Sequence, residues 1–167
     1  MSSRKAFPDF SAITTFVFDV DGVLTDGTML AFADGEQVRA FNIKDGYAIK
    51  HALKRGYKVA IISGRNEVGV RRRLESLDVE DIFLGVDNKI DVFENYLYMQ
   101  EVDPENVIYM GDDMPDLEVM QHCGIAVCPA DAATDILAVS DYVTNAGGGN
   151  GAVREIIELV LKQHQEW

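Results

Sequence analysis

The chain has little cysteine and little positive charge. Its two cysteines, Cys123 and Cys128, lie in or beside an apolar segment, which favours buried free thiols over a disulfide or a metal site. Lys and Arg together number 15 against 28 Asp and Glu, which gives a formal net charge of -13. This balance repels nucleic acid and anionic lipid, so we expect neither as a partner. A small anionic substrate would have to be met by a local cluster of cations.

Long apolar runs are absent as well. None approaches the roughly 20 residues that span a bilayer, so no membrane segment is expected. Residues 1–10 are too short and too polar for a signal peptide, and a cytoplasmic location is therefore predicted. With 167 residues, 47% of them hydrophobic, the chain suits one domain over residues 1–167 that buries a core without disulfides or structural metal.

Strand-like and helix-like segments alternate along the sequence. This alternation predicts an α/β fold, a doubly wound parallel sheet with helices on both faces. The strand-like segments cover residues 13–19, 57–63, 81–84, 107–111, 124–128 and 141–144. The helix-like segments cover residues 45–55, 67–77, 89–100, 115–121, 132–139 and 152 to about 165.

An insert at about residues 28–43 interrupts the alternation. Two short strand-like runs flank a turn that contains Asp34 and Gly35, and an Asp-Gly turn in this setting predicts a β-hairpin after the first strand. An isolated two-stranded ribbon is only marginally stable. The hairpin therefore packs either on a neighbouring subunit or back onto its own domain.

The first strand ends in two carboxylates. Asp19 and Asp21 are two residues apart, so both point to the same side of an extended chain, and Gly22 lets the backbone turn directly afterwards. Two like charges in this arrangement need a cation or a shared proton. Taken alone, the pattern also fits a strand followed by an ordinary polar turn.

Three further polar groups follow the ends of predicted strands. They are Ser63-Gly64-Arg65, then Lys89 at a helix start, then the acidic run Asp112, Asp113 and Asp116. Each has a structural explanation of its own: a plain turn, a solvated lysine, and carboxylates at the positive end of a helix dipole. Because the carboxyl ends of parallel strands lie along one edge of a sheet, all four groups can converge there.

In this order the four motifs resemble the haloacid dehalogenase (HAD) superfamily of phosphotransferases, over most of the chain. The resemblance implies a Rossmann-like HAD fold in which Asp19 is the nucleophile that forms an aspartyl phosphate and Asp21 is the acid and base. Ser63 and Lys89 would hold the phosphoryl oxygens. Asp19, Asp112 and the backbone carbonyl of Asp21 would bind Mg²⁺, and Asp113 and Asp116 would support those ligands or orient Lys89.

The short insert leaves no room for the large cap domains common in that superfamily, so the chain resembles its capless branch. That branch implies a homotetramer in which the hairpin caps a neighbouring site. It also implies hydrolysis of 3-deoxy-D-manno-octulosonate 8-phosphate (KDO 8-phosphate) to KDO and phosphate, within lipopolysaccharide precursor synthesis. The implied substrate contacts are Thr25, Asp45, Gly46, Gly64, Arg65 and Arg73. The run of glycines at residues 147–151 is expected to cap or frame the site, since it lacks the Lys-Ser/Thr of a P-loop.

Alternatives remain for the function. Related phosphatases of a nine-carbon keto-deoxy sugar acid phosphate tend to carry Glu where this chain has Arg65, which favours the eight-carbon substrate. A non-catalytic HAD-like oligomerisation domain would not be expected to retain Asp19, Asp21, Lys89 and Asp112 together. A receiver domain would carry its acidic pair at the first strand and its acceptor Asp near the middle of the chain, which is not the order found here.

Overall fold

A six-stranded parallel sheet forms the centre of the structure, a computed structural model that describes residues 7–167. Its strands are β1 (Thr15–Phe18), β4 (Lys58–Ile62), β5 (Asp81–Phe83), β6 (Val107–Met110), β7 (Ile125–Cys128) and β8 (Tyr142–Val143). They are arranged in the order β5-β4-β1-β6-β7-β8. The predicted α/β fold is confirmed, and each predicted strand is present but shorter by up to two residues at an end. The predicted lack of a signal peptide concerns residues 1–10, of which 1–6 lie outside the described part.

The central strand β1 is buried on both faces, which explains its unbroken apolar and β-branched sequence. Successive side chains point to opposite faces. Phe16 and Phe18 contribute to the core cluster on one face, and Val17 and Tyr109 to the cluster on the other. Because β1 pairs in parallel with both β4 and β6, its carboxyl end lies between theirs.

Helices cover both faces of the sheet. They are α1 (Ile43–Lys54), α2 (Val68–Glu75), α3 (Lys89–Gln100), α4 (Leu117–Met120), α5 (Thr134–Val139) and α6 (Ala152–Gln163). The apolar side chains of α6 are buried against the core that α1 shares. The predicted helix over 115–121 is instead a 3-10 turn, Met114–Asp116, followed by α4, because Pro115 and the capping side chain of Asp113 shape a separate first turn.

The predicted hairpin is present as β2 (Leu30–Ala31) paired antiparallel with β3 (Gln37–Val38). Its turn is closed by a hydrogen bond from the Gly35 amide to the Phe32 carbonyl. Four apolar side chains of the hairpin are exposed: Met29, Leu30, Phe32 and Val38. The ribbon therefore leaves an apolar surface uncovered rather than burying it on its own domain.

Among the described residues, no helix combines the length and apolar character needed to cross a bilayer.

Candidate active site

The four polar motifs meet at the carboxyl edge of the sheet. Asp19 follows β1, Ser63 follows β4, Lys89 opens α3, and Asp112 lies just beyond β6. They line a cavity of about 530 Å³. The predicted site residues that this cavity brings together are Asp19, Asp21, Ser63, Gly64, Arg65, Lys89, Asp112, Asp113 and Asp116.

The turn after β1 is fixed by its own backbone. The amides of Val23, Leu24 and Thr25 all donate to the Val20 carbonyl, at 3.2, 2.9 and 3.1 Å. Gly22 has a φ of +77°, and a Cβ on it would lie 1.8 Å from the Oδ2 atom of Asp112. Only glycine meets both demands, so the acidic groups of β1 and β6 can come together across Gly22.

The glycine run at residues 147–151 packs against this turn, main chain to main chain. A Cβ on Gly148 would lie 1.9 Å from the Gly22 carbonyl oxygen, and the Gly149 amide donates to the Val23 carbonyl at 3.0 Å. These close backbone approaches explain why residues 148 and 149 carry no side chains. The glycines frame the turn that carries Asp19 and Asp21.

Lys89 is the buried cation of the site. Its Nζ lies 2.9 Å from Asp19 Oδ2 and 2.7 Å from Asp116 Oδ1. Asp116, which is fully buried, also accepts hydrogen bonds from the Tyr109 hydroxyl at 2.6 Å and from the Asp112 amide at 3.0 Å. Asp116 thus orients Lys89 toward Asp19. The sequence pattern missed Tyr109, which lies inside an apolar strand. The one feature of the sequence that could have identified it is a hydroxyl-bearing side chain in an otherwise apolar run.

The acidic cluster is electrostatically unbalanced. Burial raises the pKa of Asp19 to about 8, with Asp116 adding to the shift and Lys89 opposing it. Burial also raises the pKa of Asp112 to about 7, reinforced by Asp116 and Asp113. Burial opposes the charge of Lys89, but Asp19 and Asp116 outweigh it and raise the lysine pKa. Negative charge exceeds positive charge here, and another cation would relieve the excess.

The donor set fits a hard divalent cation. Oxygen atoms of Asp19, Asp112 and Asp116 lie within 4.8 Å of one another, the only such group of metal-binding side chains found in residues 7–167. Asp116 is already engaged by Lys89, Tyr109 and a backbone amide, which leaves Asp19 and Asp112 as the carboxylates best placed for a metal. Carboxylate and carbonyl oxygens are what Mg²⁺ prefers.

Asp21 is held by two arginines. Arg39 donates from Nε to Asp21 Oδ1 at 2.6 Å and from Nη2 to Oδ2 at 3.3 Å, while Arg65 Nε donates to Oδ2 at 2.9 Å. The Arg39 side chain is only 2% exposed, whereas that of Arg65 is 55% exposed at the cavity mouth. The sequence reasoning missed Arg39. The one feature of the sequence that could have identified it is a lone cationic residue directly after the hairpin.

Two predicted substrate contacts, Thr25 and Asp45, do not line the cavity. Thr25 is fully buried, and its hydroxyl accepts hydrogen bonds from the Gly22 and Gly27 amides at 3.3 Å, so it stabilises the turn. Asp45 is buried in the first turn of α1 and accepts a hydrogen bond from the Arg154 amide at 2.8 Å. It thereby caps α6 from another helix. These contacts do not favour a direct substrate role for either residue, and that role stays a prediction.

Gly46 and Arg73 also lie outside the cavity. A Cβ on Gly46 would be 2.6 Å from Arg73 Nη2, so the glycine makes room for the guanidinium. Arg73 lines a separate groove of about 670 Å³ between the hairpin and α2, together with Arg39 and Glu67. Substrate binding by Gly46 and Arg73 remains a prediction.

Sequence comparison gives the same family as the motifs. The model of a haloacid dehalogenase-like hydrolase matches residues 82–156. The chain is 42% identical over 149 residues to the 3-deoxy-D-manno-octulosonate 8-phosphate phosphatase of Escherichia coli K12, covering 89% of this chain and 79% of that enzyme.

Solved structures agree with this match. The 3-deoxy-D-manno-octulosonate 8-phosphate phosphatase of Yersinia pestis superposes with a TM-score of 0.92 at 36% identity, covering 94% of this chain and 85% of that one. The enzyme of Moraxella catarrhalis, solved with magnesium, phosphate and KDO, gives a TM-score of 0.89 at 35% identity and covers 92% and 88%. The chain belongs to the 3-deoxy-D-manno-octulosonate 8-phosphate phosphatase family of the haloacid dehalogenase-like hydrolases.

Proposed function

We propose that the protein is a Mg²⁺-dependent phosphomonoesterase that hydrolyses KDO 8-phosphate to KDO and phosphate. One observation carries this proposal: Asp19, Lys89 and Asp112 converge in a single cavity in a chain that is 42% identical to KDO 8-phosphate phosphatases. The Moraxella enzyme, which binds magnesium, phosphate and KDO, provides the precedent for the ligands.

We assign Asp19 as the nucleophile. Its carboxylate oxygen attacks phosphorus and the bond to the sugar oxygen breaks, while Asp21 donates a proton to that leaving oxygen. Asp21 then removes a proton from water, the water oxygen attacks phosphorus, and the aspartyl phosphate bond breaks to regenerate Asp19. Lys89, 2.9 Å from Asp19, offsets the charge that the phosphoryl group brings.

The remaining cavity residues bind the phosphoryl group and support the metal site. Ser63 and Gly64, which follow β4, line the cavity into which the phosphoryl oxygens would extend. In the proposed metal site, Asp19, Asp112 and the Asp21 carbonyl would hold Mg²⁺, and the ion would offset the repulsion between the carboxylates and the phosphate dianion. Asp113 and Asp116 support this metal site because their side chains cap the turn that lies between Asp112 and α4.

The choice of sugar acid rests on Arg65. Its guanidinium lies at the open mouth of the cavity beside Asp21, where it can meet an anionic group of a substrate. Phosphatases of the nine-carbon keto-deoxy acid tend to carry Glu at this position, so Arg65 favours the eight-carbon substrate. The non-catalytic oligomerisation alternative is disfavoured because the whole catalytic set is assembled around one cavity.

Steady-state phosphate release tests the proposal. We expect Mg²⁺-dependent turnover of KDO 8-phosphate that exceeds turnover of its nine-carbon analogue and of a hexose 6-phosphate, and that is lost with chelator. Asp19→Asn should abolish turnover without changing the circular dichroism spectrum. Equal slow rates on all three esters would remove the substrate assignment, and activity in Asp19→Asn would remove the nucleophile assignment.

We further propose a homotetramer in which the hairpin covers a neighbouring site. The four exposed apolar side chains of the ribbon support this, since a patch of this kind favours contact with protein. Leu30→Asp should lower the sedimentation coefficient, whereas the matched variant Gln37→Asp, also exposed on the ribbon, should not. An assembled and active Leu30→Asp protein would contradict the proposal. The cytoplasmic location stays a prediction.

A further inference from the structure

We infer that Arg39, the residue directly after β3, is a positioning residue for Asp21. It fixes the orientation of the carboxylate that gives and takes the proton, and so connects the hairpin to the proton-transfer step. This inference rests on the proposed function in one respect, the assignment of Asp21 as the acid and base.

The contact between Arg39 and Asp21 has the geometry of a clamp. Two guanidinium nitrogens, Nε and Nη2, donate to the two different oxygens of the carboxylate at 2.6 and 3.3 Å. A forked pair of this kind fixes the plane of the carboxylate as well as its position. With both oxygens engaged, rotation of the Asp21 side chain requires breaking the pair.

Burial makes this contact stronger than a surface ion pair. The Arg39 side chain is 2% exposed and that of Asp21 is 29% exposed, so solvent screens the pair weakly. Arg65 differs: it is 55% exposed and donates one hydrogen bond to the same carboxylate. Arg65 can therefore leave Asp21 for a substrate group, while Arg39 keeps its place.

A second acid holds Arg39 from the opposite side. Its Nη1 atom lies 3.3 Å from Glu67 Oε1, and Glu67 is the residue at the start of α2. Arg39 thus bridges the turn after β1 and the start of α2, and brings the base of the hairpin to both. The direction of the Asp21 carboxylate accordingly depends on where the hairpin lies.

Loss of this clamp has a specific chemical consequence. When the carboxylate rotates freely, it protonates the departing sugar oxygen less often, and that oxygen is too basic to leave without a proton. A p-nitrophenolate leaving group departs without one. Damage to Arg39 should therefore slow the sugar ester far more than the release of p-nitrophenol, whereas general distortion of the site would slow both alike.

The experiment compares Arg39→Met, Arg39→Lys and the control Arg72→Met, which alters an exposed arginine on α2. Single-turnover leaving-group release is measured with KDO 8-phosphate and with p-nitrophenyl phosphate. General acid catalysis is worth about 10²- to 10⁴-fold, so we expect Arg39→Met to slow the sugar ester by about 10- to 100-fold and the p-nitrophenyl ester much less. Arg39→Lys should recover part of the loss, and Arg72→Met should behave as wild type.

A double-mutant cycle with Asp21→Asn completes the test. If Arg39 acts through Asp21, Arg39→Met should cause no further loss in the Asp21→Asn background. An equal loss on both esters, or the same loss with and without Asp21, would overturn the inference. If Arg39→Met does not fold, the ester ratio in Arg39→Lys decides instead. Failure of the wild-type protein to hydrolyse KDO 8-phosphate would overturn the proposed function. Hydrolysis of the aspartyl phosphate after p-nitrophenol release needs Asp21 to take a proton from water, so a lower rate of that step in Arg39→Met would still support the inference, and an unchanged rate would overturn it.

Discussion

Replacing Tyr109 with phenylalanine removes one hydroxyl from beneath the candidate active site. That hydroxyl is fully buried and donates to Asp116 Oδ1 at 2.6 Å, a short hydrogen bond to a buried carboxylate. Asp116 would keep Lys89 at 2.7 Å and the Asp112 amide at 3.0 Å. The variant thus removes one charge-assisted hydrogen bond without leaving the carboxylate unpaired.

The expected loss in the free energy of unfolding follows from that hydrogen bond. A hydrogen bond to a charged group contributes about 1.5 to 3 kcal/mol to the free energy of unfolding. For a protein of this size each kcal/mol corresponds to a change of about 2 to 4 °C in the midpoint temperature, so Tyr109→Phe should unfold about 3 to 12 °C lower. Turnover well below that midpoint should change little, because Lys89 keeps its place.

Urea and thermal unfolding measure this change, and Tyr96→Phe provides a matched control. Tyr96 is also buried, but its hydroxyl has no hydrogen-bond partner among residues 7–167. Removing it should leave stability unchanged or raise it. The reasoning is refuted if Tyr109→Phe changes the free energy of unfolding by less than about 0.5 kcal/mol, the size of an ordinary surface substitution, or if Tyr96→Phe costs as much.

Two further predictions concern the turn and the metal. Gly148→Ala places a methyl group 1.9 Å from the Gly22 carbonyl oxygen, so the rate of phosphate release should fall by up to about a hundredfold. The control Gly69→Ala, in open space on α2, should leave that rate unchanged. Equal rates of phosphate release in the two variants would contradict this account. Mg²⁺ must displace protons from Asp19 and Asp112, whose pKa values are raised to about 8 and about 7, so calorimetric affinity should rise from about pH 6 to about pH 8. A Mg²⁺ affinity that does not change with pH would exclude Asp19 and Asp112 as the metal ligands. Because folding raises both pKa values from 3.8, the free energy of unfolding without metal should fall as the pH rises from about 4 to about 8. Added Mg²⁺ should reverse that fall in thermal unfolding.

The sheet and the cavity were predictable because both follow from local pattern and one rule of topology. Apolar runs locate the strands, and parallel strands bring their carboxyl ends to one edge. Asp19, Ser63, Lys89 and Asp112 each lie at or just beyond the end of a strand or open a helix, so their meeting required no knowledge of side-chain contacts.

Residues away from strand ends could not be predicted in this way. Arg39 reaches Asp21 because the hairpin folds over the turn, and no spacing in the sequence fixes that path. Tyr109 points inward from the middle of β6, where a tyrosine is indistinguishable from other apolar residues until its partner is known. Thr25 lies in the same turn as Asp21, yet its hydroxyl binds the backbone of that turn and does not line the cavity.

The backbone contact between Gly22 and Gly148 also bears on the order of folding. β1, with the nucleophile just after it, is synthesised well before the segment that closes its turn. Contacts so distant in sequence form late, because the intervening chain must first be ordered. The sheet can therefore assemble before the catalytic turn is complete, so a chain cut before residue 147 would retain the nucleophile while lacking the loop that holds its turn in place.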